Sequence, residues 1–182
     1  MKTIMTAARA AGIRHRMCEG NSCWNGGQEG VSDTLASALW GADAMLHFAA
    51  CGTTGMNLHG GGMGHYAPIV GSPSQGFTRR PLFYGMLLAK EFFGATLVEA
   101  RLEGAAERVR VYAATAGSKK LLLLVNKSDA SVTVKLPQIH AREMLTLTGP
   151  ALDAKTGVNI TRTRAAKGDL QLGAHSAVVV KA

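Results

Sequence analysis

The chain has 182 residues, 47% of them hydrophobic and 18% charged, which excludes wholesale disorder and allows one well-packed domain or two small ones. No run approaches the roughly 18 consecutive apolar residues of a membrane helix, so no membrane partner is expected. The formal net charge is +8, with seven basic and five acidic residues up to Ala95 and thirteen basic and seven acidic ones after it; so diffuse a bias, alternating with apolar residues as in Arg108–Tyr112, describes solvated strand faces and no specific nucleic-acid site.

Residues 1–11 are Ala-rich, lack internal Gly or Pro and stop at Gly12, which predicts a helix. The same segment has no continuous apolar core or small-residue cleavage site, so no export signal is expected in these residues, and the compartment stays open. Ile13 to Cys18 fits a short strand. Ser32 is a good N-cap for a helix from about Asp33 to Cys51, with Asp33 placed against the helix dipole and Gly52 as the stop. That helix is apolar nearly all round, so it belongs in an interior or at a large interface. A strand near Gly55 to His59 empties into a glycine-rich loop, and Pro81 opens a third helix closed by Gly94. Alternation of helix and strand through residues 1–95 is the pattern of parallel α/β units. Two such strands make no adequate sheet alone, so this half reads as part of something larger.

After Ala95 the period changes to two. Eight short strands are predicted, in the stretches TLVEARLE, RVRVYAAT, KLLLLVN, SVTVKL, EMLTLTG, VNITRTR, DLQLG and AVVVKA, separated by turn signals at 116–118, 127–129 and 167–169. Strands at this spacing predict an antiparallel β-sandwich over residues 96–182.

Glu19 precedes Gly20 and Asn21 at the expected end of a strand, where α/β barrels carry their reacting groups. On position alone it reads either as a solvated loop charge or as a nucleophile or acid. The run His59–Gly62 resembles the oxyanion loop of esterases, but no G-x-S-x-G accompanies it; the nearest approach, residues 72–76, has Ser at the first glycine position. The three cysteines and the histidines match no zinc spacing, and Asn25–Gly27 lacks the lysine of a phosphate loop, so no metal and no cofactor is expected.

Taken in order, Glu-x-Asn-Ser at residues 19–22, the Gly26–Gly27 pair, GVSDTLASALW from Gly30, NLHGG from Asn57, the Tyr66-x-Pro68-Ile69 group and the Pro81-x-x-Tyr84-Gly85 helix resemble the C-terminal part of glycoside hydrolase family 79, the β-glucuronidases and heparanase-like enzymes. The likeness covers residues 12–95 and extends in layout to the sandwich. It implies the C-terminal part of a (β/α)8 TIM barrel with strands seven and eight, followed by a β-sandwich, and a retaining mechanism with Glu19 as nucleophile. It further implies that Trp24, Asn25, Gly26 and Tyr66 line the subsite for a uronate carboxylate, while Asn57 and His59 end the eighth strand beneath it. Trp24 stands where a tyrosine is usual and Asn25 where glycine is common. The family's acid/base belongs to the fourth strand, outside these residues, and Glu29 matches no family acid. The chain alone is therefore expected to be inactive unless another polypeptide, a missing barrel half or a second copy, supplies the partner carboxylate. A glucuronide or acidic glycan is the expected substrate; the alternative is a non-catalytic sandwich that binds an acidic glycan or supports another chain.

Overall fold

The computed structural model describes residues 2–60, 62, 64–104, 107–137, 139–164 and 169–182. The glycine at 61 in the His59–Gly62 run, and Lys167 and Gly168 of the expected turn at 167–169, lie outside the described residues.

Helix α1 (Lys2–Ala10) ends at Gly12, whose φ of +66° lets Ile13 N–H return to Ala8 O and Gly12 N–H to Arg9 O. Strand β1 (Met17–Gly20) begins four residues later than expected. It pairs in parallel with the three-residue strand β2 (Met56–Leu58), in the register Met17 to Met56 and Gly20 to Leu58. Ahead of the ladder the two segments stay bonded, Met17 N–H donating to Gly55 O at 3.0 Å and Thr54 N–H to His15 O at 2.8 Å. Glu19 consequently lies within β1 rather than after it.

Between them runs helix α2 (Leu35–Ala50). Its N-cap is Thr34, not Ser32, and the first turn is satisfied from outside: Leu35 N–H donates to Ala154 O and Ala36 N–H to Leu152 O, each at 2.9 Å. Ser32 Oγ is already engaged, accepting from Gln28 N–H and Ser22 Oγ. A hairpin the sequence reading did not foresee, β3 (Ile69–Ser72) with β4 (Gly76–Arg79), follows the glycine-rich loop. Helix α3 (Pro81–Lys90) has Pro at its start as expected, but stops before Gly94 and continues as turns to it.

All eight later strands form: β5 (Thr96–Val98), β6 (Val109–Ala116), β7 (Lys119–Asn126), β8 (Val132–Val134), β9 (Glu143–Thr148), β10 (Asn159–Arg164), β11 (Leu170–Leu172) and β12 (Ser176–Lys181). Six of them make one antiparallel sheet in the order β10-β9-β12-β7-β6-β5, and β8 pairs with β11 in a second, smaller sheet. Alternation along β7 and β12 sends Leu121, Leu123, Val125, Ala177 and Val179 into a core shared with α2 and α3. Leu124, Val178 and Val180 point the other way, into a core closed by Val134, Leu170 and Leu172 of the small sheet. Both faces of the central strands are thus buried, which is why they read as continuous apolar runs. The same arrangement answers the apolarity of α2: Leu35, Ala38, Leu39, Ala42 and Leu46 are covered by α3 and the large sheet, within this chain. Among the described residues no helix is long and apolar enough to cross a membrane.

Asp43 of α2 ties the helix to the sheet. Its Oδ1 accepts from the Tyr112 hydroxyl at 2.6 Å and its Oδ2 pairs with Lys127. Burial, and then the bond to Asp43, hold the Tyr112 phenol above its ordinary range. Asp43→Ala leaves that half-buried hydroxyl without an acceptor and is expected to cost about 1–3 kcal/mol, read as a lower urea midpoint; Asp43→Asn, which keeps an acceptor oxygen, is expected to lose less.

Candidate active site

Because β1 and β2 are parallel, their carboxyl ends open on the same side, and the groups that follow them meet. Glu19 Oε1 lies 2.7 Å from His59 Nδ1. With a carboxylate as its partner, the Nδ1 position carries the proton and the imidazole donates. The backbone fixes the pair: His59 N–H donates to Gly20 O at 2.9 Å and Asn21 Nδ2 donates to His59 O at 2.6 Å. Tyr66, only 7% exposed, stands edge-on to the imidazole with ring centroids 5.6 Å apart and planes at 70°.

The loop after β1 supplies a second wall. Asn25 (φ +51°), Gly26 (φ +87°) and Gly27 (φ +90°) are successive left-handed residues. A Cβ on Gly27 would sit 2.7 Å from Tyr66 N, so only glycine lets the loop pass so close to that residue. Tyr66 N–H in turn donates to Gly26 O at 3.3 Å. The result is an open cleft of about 730 Å³ lined by Glu19, Trp24, Asn25, Gly26, His59 and Tyr66, with intervening loop residues. Trp24 is 91% exposed and presents its indole to solvent at the rim.

Six of the seven residues singled out from sequence therefore meet in one cleft. The seventh, Asn57, is not among its lining residues; its Oδ1 accepts from Arg16 Nη2. Glu29 lies apart as well, paired with Lys155 Nζ at 2.7 Å, and its carboxyl is lowered by that hydrogen bond. Glu19 is the only carboxylate among the residues lining the cleft. Residues 72–76, the nearest approach to a serine elbow, form the turn between β3 and β4; a strand does precede them, but an antiparallel strand follows where the elbow needs a helix. Among the described residues no group of three or more His, Cys, Asp or Glu side chains is placed to hold a metal ion. Asn21, which is not among the residues expected from sequence, also holds His59 through its backbone carbonyl; an Asn directly after a strand-ending glycine is the signal for it, since Asx side chains bond nearby backbone.

Comparison with known proteins agrees with this architecture. Residues 106–180 match the model of the C-terminal immunoglobulin-like domain of D-apionate lactonase. A β-glucuronidase of Neurospora crassa is 35% identical over 77 residues, 41% of this chain and 14% of that protein. The fold superposes on a family 30 endoxylanase of Clostridium papyrosolvens over 100% of this chain and 46% of that one (TM-score 0.65, 16% identity). It also superposes on xylanase C of Talaromyces cellulolyticus over 93% and 40% (TM-score 0.67, 14% identity). The chain thus has a glycoside-hydrolase-like fold and spans less than half the length of these relatives.

Proposed function

We propose that this chain is the C-terminal part of a retaining glycoside hydrolase of the family 79 type, acting on β-linked glucuronides. In this reading residues 1–95 are the last portion of a (β/α)8 barrel, with β1 and β2 as its seventh and eighth strands, and residues 96–182 are the β-sandwich that follows. The observation that carries it is Glu19, a lone cleft carboxylate near the end of one of two parallel strands, held by the histidine that directly follows the other.

Glu19 attacks the anomeric carbon as the bond to the aglycone breaks, giving a glycosyl-enzyme that water later opens. His59 occupies Oε1 and leaves Oε2 for attack. The loop amides at 24–26 and the Tyr66 hydroxyl suit a uronate carboxylate, because N–H and O–H donors bind a planar anion without a buried cation. A second carboxylate about 5 Å away must protonate the leaving oxygen; its source is a polypeptide carrying the remaining barrel strands, or a second copy of this chain.

A leaving group as weakly basic as 2,4-dinitrophenolate departs without protonation, so the first step is open to the isolated chain. Incubation with 2,4-dinitrophenyl 2-deoxy-2-fluoro-β-glucuronide is expected to add one fluoroglucuronyl unit to the peptide containing Glu19, seen by mass spectrometry. A label on any other residue, or none, rejects the assignment.

The match of residues 106–180 to a lactonase domain favours a second reading, in which the cleft opens a sugar lactone. Water activated by Glu19 attacks the ring carbonyl, the ring C–O bond breaks and the alkoxide takes the proton back from Glu19; one carboxylate suffices. Turnover of an aldonolactone without any covalent label on Glu19 would select this alternative. The matched segment does not reach the cleft residues at 19–66, which is why the glycosidase reading stands first.

A further inference from the structure

We propose that Lys155, on the loop between β9 and β10, is a positioning residue for the cleft: it holds the loop of residues 22–33 so that Trp24, Asn25 and Gly26 face the substrate. The proposal rests on reading the cleft as the substrate site, and assigns the sheet unit a part in that site from behind.

The Lys155 ammonium bridges two acidic side chains of the cleft loop, 2.7 Å from Glu29 Oε1 and 3.2 Å from Asp33 Oδ2. Asp33 is anchored further by Gly30 N–H, which donates to its Oδ1 at 2.7 Å, and His65 Nδ1 lies 3.6 Å from its Oδ2. The preceding residue, Ser32, receives Gln28 N–H and Ser22 Oγ on one hydroxyl, which closes the loop on itself. Gly27 then passes between Ser32 and Tyr66: a Cβ there would meet Ser32 Cβ at 2.9 Å and Tyr66 N at 2.7 Å. From Lys155 the path runs by an ion pair to Asp33, along the chain to Ser32 and by close approach through Gly27 to Tyr66, which packs on His59, the partner of Glu19.

The lysine itself is placed by the same loop that caps α2. Leu152 O and Ala154 O receive the first N–H groups of the helix, and a Cβ on Gly149 would stand 3.4 Å from Leu35 Cδ2, so the loop lies flat against the helix start. The loop therefore grips the α2 N-terminus by backbone bonds and the cleft loop by one side chain.

Titration follows from the same contacts. Burial raises the Asp33 carboxyl, but hydrogen bonds from Lys155 and Gly30 outweigh it and leave it lowered; Glu29 is lowered by its hydrogen bond to Lys155, and Lys155 is raised by Glu29 and Asp33. Lowered carboxyls stabilise above their ordinary range and stop doing so as pH falls through the lowered values. The charged groups facing one another here are Glu29, Asp33, Lys155 and His65. The brace is therefore complete at neutral pH and opens in acid, as pH falls through the lowered carboxyl values.

The test uses Lys155→Met and Lys155→Arg in the full chain. Amide hydrogen exchange within residues 24–33 is expected to rise about tenfold in Lys155→Met, with β7 and β12 unchanged, and to return towards the wild-type rate in Lys155→Arg. Wild-type protection of that loop is expected to fall on acidification, and the Met variant to show a smaller step, because Asp33 keeps its bond from Gly30 N–H. In the fluoroglucuronide reaction, the inhibitor concentration at half-maximal labelling rate is expected to rise several-fold with the maximal rate nearly kept. Unchanged exchange at 24–33, or a rise that extends equally to β7 and β12, overturns the proposal. If wild type is not labelled at all while exchange at 24–33 rises selectively, the glycosidase reading fails and the brace stands.

Discussion

Gly85→Ala unfolds the chain or comes close to doing so. A Cβ at Gly85 would lie 2.1 Å from the carbonyl oxygen of Ala38 and 2.9 Å from its carbon, both backbone atoms of α2 that no rotamer change can move. On intrinsic propensity the substitution should favour α3 by about 0.5–1 kcal/mol, so a loss of stability isolates the steric effect. Forcing the helices apart also uncovers Leu35, Ala38 and Leu88, members of the core shared with the large sheet. A cost of about 3 kcal/mol or more is expected, a large share of an ordinary domain's stability. Two controls make the series decisive. Gly41→Ala meets the Leu82 side chain at 2.6 Å, which can rotate, and is expected to cost less. Gly117→Ala meets nothing within 4 Å, and pays only for a left-handed φ of +61°, about 1 kcal/mol. Equal urea midpoints for Gly85→Ala and wild type would show that the helices are not packed this tightly.

How much of the fold was legible in the sequence follows from how local each signal is. Strands β5 to β12 were visible one by one because alternation and turn residues are local signals, and Leu121–Val125 and Ala177–Val180 show by unbroken apolarity that both their faces are covered. Their spatial order, with β12 between β9 and β7, rests on long-range pairing and left no local trace. Helix α2 was recognised as buried, but its cover was sought in a larger barrel; α3 and the six-stranded sheet, both in this chain, provide much of it. The hairpin β3–β4 was missed because Gly76–Arg79 is exposed throughout and shows no two-residue alternation. At the helix start, Ser32 was a reasonable cap by residue type, yet its hydroxyl is used by the cleft loop and the cap falls to Thr34. The cleft was more legible than the fold around it, since Glu19 lies near the end of β1 and residues 24–26, His59 and Tyr66 lie in the loops that follow the paired strands β1 and β2. Lys155 was not, being 126 residues from Glu29 along the chain.

A lone cleft carboxylate has a kinetic consequence that separates the two chemical readings. With 2,4-dinitrophenyl β-glucuronide, the isolated chain is expected to release one equivalent of dinitrophenolate and then stall, since the glycosyl-enzyme needs a base to activate water and Glu19 is consumed as the ester. Azide needs no such base. Adding it should restart turnover and yield β-glucuronyl azide, because two displacements at the anomeric carbon restore the original configuration. Glu19→Gln removes the charged nucleophile and is expected to lower the burst rate by about 10⁴-fold, with azide giving no recovery of the β product. His59→Ala leaves the nucleophile but frees its carboxylate to turn away from the reacting geometry, so the burst should persist at a reduced rate. Continuous turnover of the aryl glucuronide by the isolated chain, with Glu19→Gln as fast as wild type, would place the reaction elsewhere. An absent burst combined with rapid opening of a sugar lactone, itself lost in Glu19→Gln, would move the same residue to the lactonase chemistry, in which one carboxylate both takes the proton from water and returns it to the departing alkoxide.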